Sequence, residues 1–124
     1  MNSRSLLVAA LAVMATGCGG SADTAAPLAT PSVSVNHTRV PLGSPIEVTY
    51  RFQVAPSARF DKDYRVLVHF LDADDELMWT DDHMPPQPTT SWKPGQAVEY
   101  TRTVFVPLYP YIGESAIAVG LYAP

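Results

Sequence analysis

The chain of 124 residues carries 12 prolines, one cysteine, eight Lys plus Arg against twelve Asp plus Glu, and a formal net charge of −4. That length holds one small domain, and the acidic balance argues against a nucleic-acid-binding surface. A single cysteine makes neither an internal disulfide nor a Cys-rich zinc site.

The chain opens with Arg4 in a weakly positive start, an apolar run from Leu6 to Met14, and the small residues Ala15, Thr16 and Gly17 before Cys18. That run is far short of the ~20 residues a spanning helix needs, and the order positive, apolar, small is that of a secretory signal peptide. Ala15-Thr16-Gly17-Cys18 resembles the lipobox of bacterial lipoproteins. The resemblance implies cleavage between Gly17 and Cys18, a diacylglyceryl thioether on Cys18, and acylation of the new amino group with a chain such as palmitate. It places the protein in the cell envelope, held to a membrane by lipid on Cys18. The plainer alternative is an ordinary secretory signal with an incidental cysteine. Loss of residues 1–17 removes Arg4 and no acid, leaving a net charge of −5. Attachment would therefore be lipidic rather than electrostatic.

Residues 19–32, GGSADTAAPLATPS, are small, polar and Pro-interrupted, a composition that cannot offset its own ordering entropy. Residues 18–32 are thus expected to be a lipid-anchored flexible linker holding the body about 20–40 Å from the bilayer. Residues 33–124 are expected to be the folded domain, with a short first strand from Ser32 to Asn36.

Ile46 to Val54 alternates strictly, with Ile46, Val48, Tyr50, Phe52 and Val54 on one face, the mark of a half-buried strand. Tyr64 to Leu71, Leu77 to Asp81, Ala97 to Val106 and Ser115 to Tyr122 are likewise rich in β-branched and aromatic residues. Pro, Gly and Asp cluster between them. The prediction is an all-β fold: an antiparallel immunoglobulin-like β-sandwich of about six to seven strands. The turn Tyr109-Pro-Tyr111-Ile-Gly113 is the place for a tyrosine corner.

A second resemblance rests on His69-Phe-Leu-Asp-Ala-Asp, Asp82-His83, Thr90-Ser-Trp92-Lys-Pro94-Gly95, Val104-Phe-Val106-Pro107 and Gly120-Leu-Tyr122. Residues 46–124 look like a widespread bacterial β-sandwich module found in secreted proteins and at the periplasmic ends of some membrane glycosyltransferases. The likeness implies fold and compartment and carries no catalytic residue. Where that module has Gly in its first hairpin, this chain has Asp75.

Several constellations bear on chemistry. Asp72, Asp74 and Glu76 could offer oxygen ligands to Ca²⁺, but an Asp-rich turn more simply caps a hairpin through its own backbone. With residues 72–76 as the loop, regular pairing sets Leu71 opposite Leu77, His69 opposite Trp79 and Arg65 opposite His83. His69 and His83 would then share a face at about 13 Å, too far for one zinc; a slip of one residue puts them on opposite faces. On the regular register Trp79 and His69, with Leu67 and Leu71, make a surface suited to a protein or a glycan; on a different register Trp79 belongs to the core, which is the simpler reading. Trp92 either anchors the proline loop or joins that ligand surface, and Asp82 and His83 either bond backbone groups or take part in it. No cofactor or metal is expected. The leading expectation is a non-enzymatic binding or scaffolding module whose partner is an envelope protein or a glycan. The alternative is a small metal-dependent or hydrolytic enzyme using Asp81, Asp82, His83 and His69, with Ser91 as a conceivable nucleophile.

Overall fold

Alternating sequences become strands because successive side chains point to opposite faces, so one face can be buried while the other meets water. A computed structural model describes residues 26–124, in six strands: β1 (Ala29–Val35), β2 (Pro45–Val54), β3 (Arg65–Leu71), β4 (Leu77–Thr80), β5 (Ala97–Phe105) and β6 (Ala116–Tyr122). They form two antiparallel three-stranded sheets, ordered β1-β2-β5 and β4-β3-β6. The protein is an all-β sandwich, with the strand arrangement A-B-E facing C′-C-F of an immunoglobulin-type domain. The leader, Cys18 and the first part of the expected linker lie outside the described residues.

The central strands carry the core. In β2 Val48, Tyr50 and Phe52 are wholly buried, and in β3 Val66, Val68 and Phe70 face them across the sheets. Each fully buried Val or Phe contributes about 1.5–3 kcal/mol, so these two alternating sets dominate the cohesion of the fold. β1 starts at Ala29 and pairs with β2 from Ala29↔Val54 to Val35↔Val48. Residues 29–32 are therefore part of the sheet rather than of the linker, because Ala29, Pro31 and Val33 extend the inward-facing alternation.

The β3–β4 hairpin closes as an Asx turn. Asp72 Oδ1 accepts from the amides of Asp74 (2.8 Å) and Glu76 (3.0 Å), while Asp72 N donates to Glu76 O at 2.9 Å. Asp75 takes the glycine-like position in the left-handed region, at φ 63°, which Asp tolerates better than most residues.

Its register departs from the regular one. Leu71 faces Leu77, but Phe70 faces Trp79 and His69 faces Thr80, because Met78 is an extra residue in a β-bulge. The expected pairing of His69 with Trp79 is thereby corrected, and every side chain after the bulge changes face.

Tyr111 pins the β5–β6 connection. Its hydroxyl donates to Glu114 O (2.6 Å) and accepts from Ala73 N (3.1 Å), tying this loop to the β3–β4 turn. The bond reaches forward along the chain and across to a hairpin, unlike the upstream bond of an antibody tyrosine corner. A Cβ on Gly113 would sit 2.6 Å from this hydroxyl, so any side chain there would have to displace the Tyr111 ring end.

Candidate functional site

Two inward-facing sets meet where β5 faces the segment that follows β4. On β5 the inward positions are Val98, Tyr100, Arg102 and Val104, whose partners on β2 are Phe52, Tyr50, Val48 and Ile46. Tyr50 and Tyr100 therefore lie side by side, ring centroids 5.4 Å apart. After β4 the chain stays beside β3: Asp81 N donates to Val68 O, and Val66 and His83 exchange both backbone bonds. Directly paired residues share a face, so His83 joins Val66 on the core side, and it is only 6% exposed.

These placements assemble a polar cluster inside the sandwich. Arg102 grips Asp81 with a two-pronged fork, Nε to Oδ2 at 2.9 Å and Nη2 to Oδ1 at 2.8 Å, a geometry that adds direction to charge. Tyr50 Oη donates to the same Oδ2 at 3.2 Å. His83 Nδ1 lies 2.7 Å from Asp81 O and Nε2 lies 2.7 Å from Tyr100 Oη. A carbonyl can only accept, so Nδ1 carries the proton and Nε2 accepts from Tyr100. Burial holds His83 below its usual value, outweighing the neighbouring carboxylates. Burial, with Asp81 nearby, pushes both tyrosine hydroxyls well above theirs. The bond to Asp81 raises Arg102 further. The cluster is therefore a neutral histidine, two neutral tyrosines and one ion pair that bolts the sheets together.

Asp82 works on the other face. Asp81 O has turned to His83, so Asp82 Oδ1 takes its place in the ladder and accepts from Val68 N at 2.8 Å. Its Oδ2 accepts from Tyr122 Oη at 3.4 Å, and that hydroxyl accepts from Arg65 Nε at 3.0 Å. Among the described residues no buried side-chain nitrogen or oxygen lacks a partner.

The structure keeps Asp81 and His83 in contact but parts His69 from them. His69 sits half-buried with Leu67 and Leu71 on the outer face of β3, whereas His83 points into the core. Ser91 Oγ donates to Pro88 O at 2.7 Å, His83 is bonded to Asp81 and Tyr100, and Asp82 to Val68 and Tyr122. No Ser–His–Asp relay forms among these three. No group of three or more His, Cys, Asp or Glu side chains is gathered for a metal among the described residues.

The tryptophans are likewise apart from the outer face. Trp79 stacks on Phe70 at the core side, centroids 3.6 Å apart and planes within 8°. Trp92 is 4% exposed, packs against Phe52 and Phe60, and donates from Nε1 to Gln87 O at 3.0 Å. It follows a single 3-10 turn, Thr89–Ser91, whose buried Thr89 hydroxyl donates to Lys62 O at 2.7 Å. A surface hollow of about 270 Å³ remains beside the loop, lined by Pro86, Gln87, Val98, Glu99 and Tyr100.

Tyr50, Tyr100 and Arg102 were not singled out by sequence reasoning as one site. The available signal was Arg102: a guanidinium in the inward register of an apolar strand demands a carboxylate partner. Comparison with protein-family models, curated proteins and solved structures finds no match to this chain.

Proposed function

We propose that this protein is a non-enzymatic, lipid-anchored cell-envelope module that binds or scaffolds another envelope protein. The observation that carries the reading is the commitment of its chemical groups. His83 Nε2 and both carboxylate oxygens of Asp81 are spent on joining the two sheets, while His83 Nδ1 is held by Asp81 O within its own segment, an architectural task rather than a reactive one. A protein partner is favoured over a glycan because Phe70 covers a face of Trp79 and Trp92 is enclosed by Phe52 and Phe60. The anchor rests on Ala15-Thr16-Gly17-Cys18, and multiple acyl chains at Cys18 would give stable membrane residence.

Two measurements test the reading. Cells making the full chain should incorporate labelled palmitate into it, and Cys18→Ala should abolish the label; a label that persists sinks the anchor. Tryptophan fluorescence of the folded body should stay unchanged across a polysaccharide panel, and a saturable change would replace the protein partner with a glycan.

A further inference from the structure

The sandwich has four strand edges, and they are not protected alike. Exposed edges invite pairing with another chain unless proline, charge, shortness or a covering segment blunts them. On β1, Asn36 N donates to Glu47 O and Leu28 O accepts from Ala55 N. With antiparallel alternation, this turns the backbone of Ala29, Pro31 and Val33 outward, and Pro31 has no N–H to offer. β4 has four residues and a bulge. β5 carries Glu99 and Arg102, and Pro86 and Gln87 lie against its Val98–Tyr100 segment.

Among the described residues β6 has none of these devices. Its seven residues, AIAVGLY, include neither charge nor proline. Val66 and Val68 direct their backbone bonds toward the β4 side, so Arg65, Leu67, His69 and Leu71 bond to β6 through Tyr122, Gly120, Ala118 and Ala116. The N–H and C=O of Ile117, Val119 and Leu121 consequently point outward, with no partner strand among the described residues. Beside this edge runs an apolar groove of about 150 Å³, walled by Leu28, Ala29 and Pro31 on one side and Gly120 and Leu121 on the other, with buried Phe52 at its base.

We propose that the outer edge of β6 is a docking site for an extended segment of a partner protein. The segment adds as a further strand and sets apolar side chains from alternate positions into the groove between β1 and β6. A row of outward amides and carbonyls selects an extended backbone, because a helix has already satisfied its own. The uncharged edge and apolar groove then select apolar side chains at every second residue. A second copy fits less well: Ile117 and Val119 are buried in their own core, so a second β6 brings no free side chain of theirs to the groove. The inference deepens the binding-module reading, on which it rests, and does not depend on Cys18.

The test is amide hydrogen exchange on the full chain, followed residue by residue. The probe is a blocked peptide alternating Val and Thr between terminal lysines; its control has proline at the centre. The alternating peptide should slow exchange at Ile117, Val119 and Leu121 by about tenfold or more, leave Thr101 and Thr103 unchanged, and lose this effect with Leu28→Glu. Four results overturn the proposal. Protection of the three amides already in the peptide-free monomer overturns it, since the chain then covers its own edge. Protection must not rise with protein concentration alongside a dimer, which would make the occupant a second copy. An equal response to the proline peptide, or no response to the alternating one, also ends it. None of these results alters palmitate labelling or the polysaccharide panel, so failure here is distinct from failure of the proposed function.

Discussion

Phe70 and Trp79 lie face to face across the β3–β4 pair, at 3.6 Å and 8°, because the bulge at Met78 moves Trp79 by one position. Without it, Trp79 would stand beside His69 on the outer face. Trp79→Ala should therefore destabilise the fold by about 2–4 kcal/mol, somewhat less than a fully enclosed Trp, measurable by urea denaturation. A cost below about 0.5 kcal/mol, as for a surface substitution, would show that the stack contributes little.

The ion pair between Arg102 and Asp81 is enclosed unevenly, with side chains 37% and 14% exposed. Arg102→Met should cost about 1–3 kcal/mol, because the carboxylate loses its fork but keeps Tyr50 and some water. Adding Asp81→Leu should recover part of that loss, and a double-mutant cycle reads the coupling directly. Strict additivity of the two changes would contradict the clasp.

Burial lowers His83, so between its folded-state value and about 6.5 the unfolded chain binds a proton that the folded chain does not. Stability should fall as pH drops through about 6.5 and level off below the folded-state value. His83→Gln should flatten that segment of a stability–pH curve measured by denaturation. An unchanged slope in the variant would assign the dependence to another group.

Asp75 holds a left-handed conformation at φ 63°. Asp75→Gly should raise stability by about 0.5–1 kcal/mol, and Asp75→Val should lower it by about 1–2 kcal/mol. Thermal melting of the three proteins ranks them, and an Asp75→Val protein as stable as the parent would rule out strain at this position.

The strands were legible because alternation is local: Ile46, Val48, Tyr50, Phe52 and Val54 announce β2 by themselves, and β2 begins within one residue of its expected start. The hairpin register was not legible, since no residue type marks Met78 as the bulge. The outer set Leu67, His69 and Leu71 follows from alternation alone, and the Asx turn at Asp72 from the run of acids around it. The clasp escaped because Arg102 and Asp81 meet only once two sheets close on each other, and a strand pattern contains no record of which edge faces which. The start of β1 was obscured by Ala29, Thr30 and Pro31, which resemble the linker in composition while continuing the inward alternation.

One consequence concerns force. β1 is the edge strand through which the preceding chain enters the sandwich, and it is joined to β2 along seven residue pairs. A pull transmitted through Leu28 along the axis of β1 loads those backbone bonds in shear, all together, instead of peeling them one by one. A drag on the body along that axis would thus be resisted by the whole length of β1 at once.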